Sequence, residues 1–202
     1  MTPSPWLSPS RVLIAAGAWF LLALVIGWSG LLASAPPLFP QVVLFGLSGA
    51  LLLLFGRSSV FRGWALTVDI RGLVLVHASR FVGVYFLVLY SRGELPYAFA
   101  VPGGWGDIGV ATTAVAVSAG ARRSGPVGWA SYFAWNVLGL LDILVVVATA
   151  GRLGMAVPGS MTALTRLPLS LLPTFLVPII IVTHIVIFVR LLASLRANYR
   201  AF

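Results

Sequence analysis

The chain has 202 residues, of which 60% are hydrophobic and only 8% charged, with a mean hydropathy of +1.05. A soluble surface needs about a quarter charged residues, so the composition excludes a water-soluble globular domain and predicts an all-α, polytopic integral membrane bundle. The net charge of +9 comes from 13 arginines, with no lysine and no cysteine. This excludes thiolate metal sites, disulfides, covalent c-type haem, Schiff-base retinal and a Walker A motif.

The first apolar run, residues 11–32, has spanning length. The small-residue pattern at Ala33 and Ala35 resembles a cleavage site. However, the run is long, no basic region precedes Arg11, and Pro36 would follow the cut, so no cleaved signal peptide is expected. A second, short span at residues 38–55 follows "APPLFP", and a third at residues 65–90 follows "GRSSVFRG". The fourth, residues 106–121, is again short and follows "SRGELPYAFAVPGG"; the fifth, residues 127–150, follows "RRSGP". The sixth is residues 171–195. The segment before it, residues 151–170, reads as an interfacial or re-entrant piece or a lid. No repeat or linker divides the chain, so residues 1–202 are expected to form one domain of about six transmembrane helices.

Arginine bias orients the bundle. Arg11, Arg57, Arg62, Arg122, Arg123, Arg196 and Arg200 fall in the predicted inner segments, and Arg92, Arg152 and Arg166 in the outer loops. Both termini are therefore expected on the cytoplasmic side of a bacterial inner membrane. Scattered arginines also argue against nucleic acid as a partner; lipid is the expected surroundings. Trp6, Trp64, Trp105 and Trp129 lie near predicted helix ends, as interface anchors do.

The third span contains "LVHASRFVGVYFLVLY", with His77 and Arg80 inside an apolar run. At 1.5 Å per residue, His77 and His184, the chain's two histidines, come out near the midplane on different helices. Arg80 comes out level with Asp142, predicting a buried ion pair, since either charge alone is expensive in hydrocarbon. Asp69 and Arg190 come out level nearer the inner side, and Asn136 lies slightly below the histidines. At 100° per residue Asp69, His77 and Arg80 can face one bundle interior, whereas Asn136 falls off the face shared by Ser131, Trp135 and Asp142.

This constellation has three functional readings. In the first, His77 and His184 are axial ligands of one b-type haem, with Arg80 or Arg190 near its propionates, in a small membrane cytochrome exchanging electrons with a quinone or a partner membrane subunit. In the second, Asp142, His77, His184 and Asp69 form a proton or ion path in a transporter or channel, with Asn136 among its candidate residues and Pro178 breaking the sixth helix before His184. In the third, the buried charges only specify helix pairing in an accessory or assembly subunit of a larger membrane complex. A three-ligand metal site of His77, His184 and Asp142 is a further expectation, without a supporting spacing motif.

In "AVPGGWGDIG", Gly104, Gly106 and Gly109 match G-x-G-x-x-G. The preceding strand and the following acidic residue of a dinucleotide fingerprint are missing. Residues 102–106 read instead as a tight outer turn, with Asp107 capping the fourth helix; the functional alternative is an outer gate or cation site with Glu94.

Overall fold

Apolar runs of about twenty residues close their own backbone hydrogen bonds as helices, the arrangement a hydrocarbon solvent demands. The computed structural model describes residues 9–119 and 126–199, and among these the chain is helical with no strand. Five segments are long and apolar enough to cross a membrane: Ser10–Trp28, Phe39–Arg57, Ile70–Ser91, Gly128–Ala156 and Leu172–Leu195. Side chains such as Leu13, Val42, Leu53, Leu138 and Val145 point outward, while Arg80, Asp107, Asn136 and both histidines are buried. Arg122, Arg123, Arg200 and Trp6 lie outside the described residues.

Helix α1 (Pro9–Trp28) stops before Gly30, whose φ of 72° lies in the left-handed region. One turn, α2 (Leu31–Ser34), leads to α3 (Phe39–Arg57), which has a proline in its first turn where no backbone donor is lost. Ser58 caps α4 (Ser59–Thr67), its hydroxyl accepting from the Phe61 N–H at 3.1 Å.

The third span begins later than the hydropathy predicts. Residues 65–67 belong to α4, and the chain turns at Val68 and Asp69. Exposed Asp69 is the N-cap of α5 (Ile70–Leu75), accepting from the Arg71 N–H at 2.9 Å. Asp69 is thus a cap at the end of the span and not part of a polar interior.

Beyond α5 the span tightens into a 3-10 helix, Val76–Val82, then returns to α geometry in α6 (Gly83–Ser91). Val74, His77, Arg80, Gly83, Phe86 and Leu89 are all buried, at a spacing of three. Residues i and i+3 eclipse in a 3-10 helix, so the tightening puts His77 and Arg80 on one line. Val74 ends that line in an apolar layer with Ala114, Trp135 and Ile187; Phe86 and Leu89 lie in a second with Phe99, Ala150 and Leu169. The polar residues lie between the layers.

Helix α7 (Tyr97–Ala119) contains Pro102, and α8 runs Pro126–Ala156. The expected turn at residues 102–106 is helix interior instead, because α7 starts nine residues before the predicted span at residues 106–121. Helix α7 is not among the five segments apolar enough to cross a membrane. The predicted span at residues 127–150 is likewise extended, to Ala156.

Residues 157–171 fold back on the bundle through a 3-10 turn, Thr162–Thr165, with Met161, Leu169 and Ser170 buried. A π-helical turn, Leu172–Leu176, opens the last span and runs into α9 (Val177–Tyr199). Pro178 has no N–H to give the carbonyl four residues back, that of Thr174. The Trp19 indole N–H on α1 donates to that carbonyl at 2.9 Å, and the Trp19 and Phe175 rings meet edge-on at 4.9 Å. Helix α1 is fastened where the last span is irregular.

Candidate functional site

The site forms where the 3-10 stretch, α7, α8 and α9 meet. Arg80 is 1% exposed. Its Nε donates to Asp107 Oδ1 at 2.6 Å, one terminal nitrogen donates to the Gly139 carbonyl at 2.9 Å, and the other donates to Asp142 Oδ2. A guanidinium suits this role because its donors are fixed in a plane and separate acceptors can be met at once. Asp107 is 3% exposed, whereas the Asp142 side chain is 25% exposed. One positive and two negative groups leave the cluster at a formal −1.

The expected Arg80–Asp142 pair is formed. Asp107 is not the expected cap: it lies mid-helix and is Arg80's second partner. Nor does it reach Glu94, which is exposed in the α6–α7 connection and borders a separate recess with Tyr85, Thr162 and Arg166. Two glycines of "GGWGDIG", Gly104 and Gly106, serve close packing. A Cβ at Gly104 would come 2.9 Å from the Gly83 carbonyl oxygen, and one at Gly106 would collide with Asp142 Oδ1. Gly106 therefore lets α8 bring Asp142 beside α7, one residue from Asp107. The buried face of α7, which runs through Phe99, Gly103, Asp107, Val110, Ala114 and Ser118, carries the small-residue signal that could have found this packing.

Beside the ion cluster lie the histidines, each 0% exposed, with ring centroids 4.2 Å apart and planes inclined at 54°. The Trp135 ring meets His77 edge-on at 5.0 Å and stands 5.7 Å from His184. Hydrogen bonding fixes the tautomers. The Thr183 hydroxyl donates to the Ile180 carbonyl at 2.9 Å, so toward His77 Nε2, 3.1 Å away, it accepts. Asn136 donates its amide to the His184 carbonyl at 3.0 Å, turning its own oxygen to His184 Nδ1 at 2.8 Å, which must donate. His77 Nδ1 and His184 Nε2 are left buried without a partner. Asn136, expected off the polar face, is thus the residue that holds His184.

This geometry does not fit the expected haem. An iron about 2 Å from each ligating nitrogen would hold the ring centres roughly 6 Å apart with a porphyrin between them. At 4.2 Å there is no such space. Arg190 stands away from the histidines, donating to the Val68 carbonyl next to Asp69. The three-ligand metal set is not assembled either: Asp142 is on Arg80, and among the described residues no three His, Cys, Asp or Glu side chains converge on a metal position.

A cavity of about 80 Å³ adjoins the cluster. Arg80 and Asp107 form its charged wall, and Phe86, Phe99, Ile143 and Val147 are among its apolar lining.

A family model described as "Domain of unknown function (DUF8737)" matches residues 37–192. No curated protein and no solved structure matches the chain.

Proposed function

Because the chain belongs to the DUF8737 family, which is described only as a domain of unknown function, we propose its activity from the site itself: membrane transport in which a proton and a monovalent cation compete for one buried negative charge. The carrying observation is the formal −1 of Arg80, Asp107 and Asp142 in an apolar interior. An unbalanced charge there costs several kcal/mol, so the cluster is most stable with one further positive charge. Either ion discharges it, and the two exclude one another. That exclusion is what couples their movements.

The helix irregularities support the same reading. The span carrying Arg80 is 3-10 at the site, and the span carrying His184 starts in a π turn ahead of Pro178. Such interruptions recur where transporters bind their ions and where helices change conformation.

The protein would sit in a bacterial inner membrane with six crossings and both termini cytoplasmic. Helix α7 supplies the sixth: its 23 residues span about 35 Å, and Arg80 balances its one acidic residue. The arginine bias sets the orientation.

The test is proton flux into proteoliposomes driven by an outward gradient of a monovalent cation, potassium and tetramethylammonium in turn, read with an internal pH dye. Wild type should acidify the lumen faster than empty vesicles, and Asp142→Asn should remove the excess. Wild-type flux equal to that of empty vesicles, with protein correctly inserted, overturns the proposal.

A further inference from the structure

We infer that the cavity beside Arg80 and Asp107 binds a compact organic monocation, an ammonium carrying apolar or aromatic groups. The inference deepens the transport reading and rests on it, since it names the cation that competes with the proton.

Charge selects the class. With both carboxylates ionised against one guanidinium, an anion would take the assembly to −2 and a neutral ligand would leave it at −1; a monocation closes the balance in place of a proton. Arg80 is already donating to Asp107, Gly139 and Asp142, which makes it a poor anion receptor. Asp107 is the acidic residue on the cavity wall.

The lining selects the substituents. A small inorganic cation keeps its hydration or takes several oxygen ligands, and this wall is mostly carbon, with Phe86, Phe99, Ile143, Val146, Val147 and Val177 among its members. Such a surface suits alkyl or aryl groups, and the two phenyl rings, 5.1 Å apart between centroids, can face a soft cation. Size sets the limit. Where one water occupies about 10–15 Å³, a cavity of about 80 Å³ holds roughly six, the space of an organic molecule of about ten non-hydrogen atoms.

The turn Thr162–Thr165 gives Leu164 and Thr165 to the cavity, and Thr162 and Ala163 to the recess holding Glu94 and Arg166. That turn borders both the cavity and the surface recess.

The probe is benzyltrimethylammonium, with neopentylbenzene as its uncharged isostere, titrated calorimetrically into the full-length protein in detergent at two pH values. The cation should bind at least tenfold more tightly than the isostere, and acidification should weaken it, by up to about tenfold per pH unit. Asp107→Asn should remove the charge preference. Should that variant misfold, Val147→Trp, which fills the cavity from a residue that is not a member of the cluster, should lower affinity at least tenfold. Equal affinity for cation and isostere, or cation binding unaffected by Val147→Trp, overturns the inference. Proton flux with no charge-selective binding defeats this inference and leaves the transport reading standing; charge-selective binding without flux does the opposite.

Discussion

His77 and His184 face one another as opposite tautomers, the hydrogen on Nε2 in the first and on Nδ1 in the second, because Thr183 and Asn136 each dictate the bonded nitrogen. Nitrogen-15 NMR of labelled protein in detergent should report two distinct neutral imidazoles at neutral pH. Thr183→Val should free the first tautomer and leave the second unchanged. Two rings with the same tautomer would contradict the arrangement.

The spacing of those rings also predicts a colourless protein. Purified from haem-replete cells, it should show no Soret band before or after dithionite, because no porphyrin fits between imidazoles 4.2 Å apart. A low-spin bis-imidazole spectrum would mean that the helices part to admit one.

Removing Arg80 strands two buried carboxylates. Arg80→Met should destabilise the protein by about 3–5 kcal/mol, measured by unfolding in mixed micelles. Arg80→Lys should recover only part of this, since a point charge cannot reproduce three directed contacts. Combining Arg80→Met with Asp107→Asn and Asp142→Asn should restore most of the stability while leaving no flux. If the triple variant were as unstable as Arg80→Met alone, charge balance would not be the dominant cost.

Gly139 is where α8 meets the ring of His184: a Cβ there would stand 2.8 Å from Cε1. Gly139→Ala should cost about 1–3 kcal/mol and shift the His184 resonances. Gly109→Ala, with nothing within 4 Å of the new methyl, should be neutral or stabilising by under about 1 kcal/mol. Equal effects from the two would remove the close-approach argument.

Trp19→Phe keeps the aromatic contact with Phe175 but abandons the Thr174 carbonyl. A loss of about 1 kcal/mol is expected, with faster hydrogen exchange confined to α1 and the start of the last span. Exchange that rises throughout the bundle would show that α1 supports more than this corner.

Much of the bundle was legible in the sequence, because long apolar runs have few ways to be satisfied in lipid. Depth along a helix also placed Arg80 with Asp142 and His77 with His184. What failed was local. Pro102 and its neighbouring glycines carry the chemistry of a turn in water, which makes Asp107 read as a helix end, yet in α7 they are helix interior, where Gly104 and Gly106 allow close packing. Helical phase sets Asn136, a candidate for the buried polar path, apart from the face of Asp142, yet its reach to both the ring and the backbone of His184 compensates for its angle. The tightening at Val76–Val82 is invisible at a uniform 100° per residue, because the residues between Val74, His77, Arg80, Gly83, Phe86 and Leu89 are mostly apolar as well, and only burial picks out the spacing of three.

That 3-10 stretch has a mechanical consequence. Seven residues rising 2.0 Å each instead of 1.5 Å make the span about 3.5 Å longer than an α-helix of the same residues. Relaxing it would draw the two ends together and swing Arg80 about 60° around the axis relative to His77. Length and azimuth are geared to each other here, so a change of pitch would turn the guanidinium out of its carboxylate cradle while shortening the helix that carries it.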